Sequence, residues 1–142
     1  MAQIVPGSVY HILNVKAENT AIDLSGSDQR SIIGWPAHSG DNQKWHVEKT
    51  NNHLYTLRNV LFGKYLALTQ EPHDNLQAVA TEFEYEWDIR PDGEDPSVLR
   101  IFVPHTHFNL DLTNHGSSVG NTPIATWGTW EGRNQCWRFE QV

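Results

Sequence analysis

The chain has 142 residues, a single cysteine, and 17 acidic against 10 basic side chains, for a formal charge of −7. That length suits one domain with its own core, a lone cysteine excludes an intramolecular disulfide, and an acidic field with no Lys/Arg cluster sets nucleic acid aside as a partner. No segment approaches transmembrane length, so membrane insertion is not expected. Met1–Gly7 lacks the basic and apolar regions of a signal peptide, which leaves the cytoplasm as the expected location.

In chain order, the first hydrophobic runs are Val9–Leu13, Ala21–Leu24, Ser31–Trp35 and Lys44–Val47. The same four-part order returns as Leu54–Leu57, Lys64–Leu68, Leu76–Ala80 and Glu86–Ile89, and again as Leu99–Val103, Asn109–Leu112, Pro123–Trp127 and Trp137–Phe139. Each set closes on a tryptophan: Asn42-Gln43-Lys44-Trp45, a worn Tyr85-Glu86-Trp87, and Asn134-Gln135-Cys136-Trp137. Three repeats of roughly 7–50, 51–94 and 95–142 follow, a period that signals a repeat architecture.

Four strands per repeat predict twelve. Period-2 alternation, β-branched and aromatic enrichment and turn residues every few positions describe an all-β barrel or sandwich. Seven prolines break the chain too often for long helices, so almost no α-helix is expected.

Superposing the repeats exposes a polar pattern. Asp23 matches Asp111 where the middle repeat has Ala67; Asn42 matches Asn134 where it has Glu84; Trp35 matches Trp127 and His38 matches Trp130 where it has Gln77 and Ala80. A carboxylate, a planar ring and an amide are thus present twice and absent once. A pyranose has an apolar C–H face and a rim of hydroxyls, so its site needs a flat apolar plate and a few fixed polar groups. An ionised Asp accepts from neighbouring hydroxyls, and an Asn amide both donates and accepts.

Taken singly, each residue has a plainer explanation: Asp23, Asp111 and Asn42 as turn residues, and Trp35 or His38 as loop rings covering the core. Gln43, Trp45, Trp87, Gln135 and Trp137 read as structural, with indoles filling the interior and Gln side chains tying off backbone groups. Only their joint recurrence points to a ligand.

The triplicated Gln-x-Trp pattern, with Asp ahead of it and Asn-Gln just before the Trp, resembles the ricin-B-like (R-type) lectins, in the short form without disulfides found in mushrooms. The resemblance covers the whole chain and implies a β-trefoil, in which six strands close a barrel, three hairpins cap it and a pseudo-threefold axis relates the repeats. It implies shallow outer sites for terminal galactose or N-acetylgalactosamine, including lactose-type disaccharides, on glycoproteins or glycolipids, and a role in defence. Carried over, the main site is Asp23, Asn42 and the platform Trp35 or His38; a second is Asp111, Asn134, Trp127 and Trp130. The stretch from Asp111 to Trp127 is four residues longer than that from Asp23 to Trp35, so loop 115–121 is expected to block or reshape the third-repeat site. The second repeat is expected not to bind.

Other chemistry finds little support. His105 and His107 share one side of an expected extended segment without a third metal ligand, and Glu82, Glu84 and Glu86 read as a solvated strand face. There is no nucleophile elbow, and no cofactor is expected. Cys136 reads as a surface or half-buried thiol. A binder rather than an enzyme is the expectation. A β-trefoil protease inhibitor is the competing reading, but an inhibitor has no reason to keep Asp, ring and Asn in register twice. One shallow pocket binds weakly, so a second site from the third repeat or from a homodimer would be needed for avidity.

Overall fold

The computed structural model describes residues 3–142; Met1 and Ala2, part of the stretch read above as leader-free, lie outside the described residues. The first repeat supplies β1 (Ser8–Asn14), β2 (Thr20–Leu24), β3 (Ile32–Pro36) and β4 (Trp45–Lys49). The second supplies β5 (Tyr55–Asn59), β6 (Tyr65–Ala67), β7 (Leu76–Gln77), β8 (Val79–Thr81) and β9 (Asp88–Pro91). The third supplies β10 (Leu99–Phe102), β11 (Phe108–Leu112), β12 (Thr122–Gly128) and β13 (Trp137–Gln141).

Six strands close a barrel. β1 pairs antiparallel with β4 and β13, β4 with β5, β9 with β10, and β10 with β13. The remaining gap is bridged by Tyr55 and Trp87, whose backbones exchange hydrogen bonds of 2.9 and 2.8 Å. Hairpins β2–β3, β6–β8 and β11–β12 form the cap and meet through β12–β3, β12–β7 and a Ser31–Val79 bridge. This is a β-trefoil.

The core explains why the period survives. Trp45, Trp87 and Trp137 are fully buried, and their indole N–H groups donate to Ile22 O, Leu66 O and Leu110 O at 3.0, 2.9 and 3.2 Å. Each ring fills the barrel and fastens it to its own cap hairpin, so it serves both as packing volume and as a satisfied donor.

Four local expectations need correction. The described residues form thirteen strands, because the run Leu76–Ala80 changes partner at Ala78: Leu76–Gln77 pairs with β12 and Val79–Thr81 with β6. Residues 82–86 are bend and coil instead of a strand face, with Asn52 Nδ2 donating to Glu86 Oε1 at 3.1 Å. His105 lies in a turn with φ 63°, so it and His107 are not two rungs of one extended segment. Cys136 is buried, 1% exposed, and burial raises its thiol pKa. Alternation along the strand did not reveal the Arg100–Asp92 pair near it.

Among the described residues the α-helical content is one turn, Thr113–Gly116, in which Asn114 and His115 take left-handed φ of 54° and 55°. It is a coiled surface turn rather than a true helix. Two 3-10 turns, Asp41–Gln43 and Arg133–Gln135, precede β4 and β13.

Candidate functional site

In the first repeat the cap hairpin and the 3-10 turn converge on Asp23, near the end of β2 and only 3% exposed. Gln43 Nε2 donates to Asp23 Oδ2 at 2.9 Å and to Pro36 O at 3.1 Å, while its Oε1 accepts from the His38 N–H at 2.9 Å. One amide therefore locks strand, carboxylate and loop together. Asn42 Nδ2 donates to Leu24 O at 3.3 Å, placing its side chain at the same strand end.

His38 is oriented by its own loop. Its Nδ1 accepts the Gly40 N–H at 2.9 Å, so the proton sits on Nε2, which lies 3.9 Å from Asp23 Oδ2. A Cβ on Gly40 would lie 2.6 Å from His38 Cε1, so only glycine lets the ring settle there. Trp35 is 36% exposed at the end of β3, and its ring lies against Gly120, where a Cβ would come within 2.8 Å of Cζ3.

The third repeat rebuilds this arrangement. Gln135 Nε2 donates to Asp111 Oδ2 at 2.9 Å and to Gly128 O at 3.1 Å, and its Oε1 accepts from the Trp130 N–H at 3.2 Å. Trp130, 45% exposed, lies over Gly132 as His38 lies over Gly40. Here Asn134 is committed inward: Nδ2 donates to Asp111 Oδ1 and to Leu112 O, each at 3.1 Å, and Oδ1 is buried without a partner. An added device is Arg100, which donates to Gln135 Oε1 at 2.7 Å, Asn109 Oδ1 at 3.0 Å, Trp130 O at 2.8 Å and Asp92 Oδ1 at 2.6 Å.

A cavity of about 700 Å³ opens over this third-repeat set. Asp111, Asn134, Trp127 and Trp130 line it together with Asp74, His107, Thr113, Asn114, His115 and Thr129. Sequence comparison missed the latter group. Asp74 reaches in from the second repeat, its Oδ1 accepting the Gly128 N–H at 2.8 Å, and a register of each repeat against the others cannot show such a crossing. Asn114 and His115 belong to the longer third-repeat stretch, which walls this cavity and then packs beneath Trp35, with the Asn121 N–H donating to Gly34 O at 3.1 Å.

Burial raises the pKa of both Asp23 and Asp111, opposed by the Gln43 and Gln135 hydrogen bonds. The first and third repeats thus hold a buried carboxylate in the same place by the same amide. The middle repeat has buried Ala67 at the matching strand end, Glu84 in place of the amide, and no 3-10 turn before Trp87.

A family model described as ricin-type beta-trefoil lectin domain-like matches residues 3–82. The chain superposes on the Macrolepiota procera ricin B-like lectin in complex with lactose with a TM-score of 0.95 and 42% identity, covering 99% of this chain and 100% of that one. The Rhizoctonia solani agglutinin gives a TM-score of 0.86 at 25% identity with full coverage of both chains. ThreeFoil, a designed threefold-symmetric protein, gives 0.85 at 19% identity over 94% of this chain and 99% of its own, a likeness of fold alone. No curated protein sequence matches the chain.

Proposed function

Since this chain belongs to the ricin-type β-trefoil lectin family, we propose that it is a non-enzymatic lectin for terminal galactose or N-acetylgalactosamine, in lactose-, N-acetyllactosamine- or LacdiNAc-type glycans on glycoproteins and glycolipids. The observation that carries this reading is the repeated clamp: a buried Asp whose Oδ2 is occupied by Gln, beside a ring seated on glycine, in the first and third repeats. The Gln holds one carboxylate oxygen and so aims the charge, while the ring offers an apolar face to sugar C–H groups. His38 Nε2 stands beside the carboxylate in the first pocket. In the third, Trp127 and Trp130 both face the cavity. The lactose complex of the Macrolepiota procera protein supports the galactose-type preference. The second repeat, without carboxylate or ring, is silent in this reading, and defence through glycoconjugates of grazing animals is the proposed role.

Glycan-array binding of the parent, Asp23→Ala, Asp111→Ala and the double variant tests it. Galactose-terminated glycans should dominate the parent, each single variant should retain part of the signal, and the double should retain none. Undiminished binding by the double variant would refute the assigned pockets.

A further inference from the structure

Each pocket is completed by the repeat that follows it around the threefold axis. Asn59, at the end of β5, donates Nδ2 to Asn42 O at 2.9 Å, and the next residue, Val60, donates its N–H to Lys44 O at 2.9 Å. Asn14, at the end of β1, repeats the arrangement on the third pocket: Nδ2 donates to Asn134 O at 3.0 Å, and the Val15 N–H to Cys136 O at 3.0 Å. The two bonds of each pair flank Gln43 or Gln135, the Gln that grips Asp and the last residue of the 3-10 turn that also carries the pocket Asn.

These asparagines cannot swing away. Asn59 is 1% exposed and its Oδ1 accepts the Phe62 N–H at 3.2 Å; Asn14 is fully buried and its Oδ1 accepts from Lys16 and Ala17 at 3.1 and 3.0 Å. With both ends of the amide engaged, it works as a rivet between repeats.

The third junction shows what happens without it. Strand register equates Leu13, Arg58 and Phe102, through their pairings with Ala21, Tyr65 and Asn109. The rivet pair Asn14-Val15 and Asn59-Val60 therefore corresponds to Val103-Pro104. Valine has no amide and proline no N–H, so neither bond can form. The segment they would hold is the one before Trp87, where no 3-10 turn exists and Glu84 stands at the amide position. Loss of the rivet and loss of the pocket coincide at one junction of three.

We infer that Asn59 and Asn14 are positioning residues for the first and third pockets respectively, each acting from the neighbouring repeat through the turn that presents Asn42-Gln43 or Asn134-Gln135. The inference rests on the sugar-binding reading of those pockets.

The test is a lactose titration of the full chain labelled with nitrogen-15, following the side-chain amides of Asn42 and Asn134 so that each pocket reports separately. Parent, Asn59→Val and Asn14→Val are compared, valine being the residue the fold itself carries at position 103; Asn59→Ser and Asn14→Ser provide a milder removal of the donor arm should either valine variant fold poorly. Asn59→Val should weaken the first pocket about tenfold and leave the third within about twofold, with the reverse for Asn14→Val. If a single pocket of the parent responds, the same contrast is read there between the two variants. A purely structural role would instead weaken both pockets together or neither, and that result overturns the inference. A parent whose two amides ignore lactose removes the sugar reading, and the inference with it.

Discussion

Replacing Asp23 with Asn should separate binding from stability. Gln43 Nε2 occupies Oδ2 from 2.9 Å, so in the variant the amide oxygen must stay with Gln43 and the NH2 group turns outward. An ionic acceptor aimed at sugar hydroxyls becomes a neutral donor. A hydrogen bond to a charged group is worth about 1.5–3 kcal/mol against about 1 for a neutral one. Lactose affinity at the first pocket should therefore fall about 10-fold, on the order of 1–2 kcal/mol. Stability should not follow. Burial raises the Asp23 pKa above its ordinary 3.8, so the folded chain binds that proton more tightly than the unfolded chain does. Stability from this group is then fully present below the unfolded value and declines as pH rises through the folded one, which leaves the ionised carboxylate a liability at neutral pH. The Asn variant, free of that liability, should match or exceed the parent in urea unfolding at pH 7. The parent's lactose affinity should decline on acidification as the ionised form disappears, and at a higher pH than for a free aspartate because burial raises the Asp23 pKa. Calorimetric titration with lactose and urea melts at neutral and acidic pH provide the data. A variant that unfolds more than about 1 kcal/mol more easily at neutral pH, or that keeps parental affinity, would refute the reasoning.

Four further outcomes are expected. Trp45→Phe removes the donor to Ile22 O and leaves a void in the barrel, a loss of about 2–4 kcal/mol by urea unfolding. Arg100→Leu strips Asp92, Asn109 and Gln135 of a buried donor and should destabilise by about 3–5 kcal/mol, with the third pocket weakened more than the first in the amide-resolved titration. Trp130→Ala should weaken the third pocket about tenfold while leaving Asn42 shifts with lactose unchanged. Gly120→Ala would bring a Cβ within 2.8 Å of Trp35 Cζ3; because that ring is part-exposed it should tilt at a stability loss of about 1 kcal/mol, altering first-pocket affinity more than that of the third.

Much of the architecture was legible because burial leaves a rhythm. The alternation around Ile12, Leu57 and Ile101 marks barrel strands, and the spacing of Trp45, Trp87 and Trp137 reports three indoles that must each reach a cap-hairpin carbonyl. Aligning Asp23 with Asp111 likewise found two residues that the fold sets at equivalent strand ends. The parts that stayed hidden are those created between repeats or by backbone sign. Asp74 enters the third cavity from another repeat, and Asn59 reaches Asn42 across a junction; neither shares a register with what it serves. The left-handed pair Asn114 and His115 turns the longer third-repeat stretch into a wall, a conformation that hydrophobic periodicity does not encode. The split at Ala78 follows from a change of partner between β12 and β6, which composition alone cannot distinguish from a continuous strand.

The longer stretch after Asp111 has one face toward the third cavity and the other beneath Trp35. If both pockets take sugar as proposed, a single loop is shared by the two sites, so their preferences cannot drift independently. Diversification of ligand preference would be concentrated in a few surface residues whose every change is read out twice, while the barrel beneath stays constant.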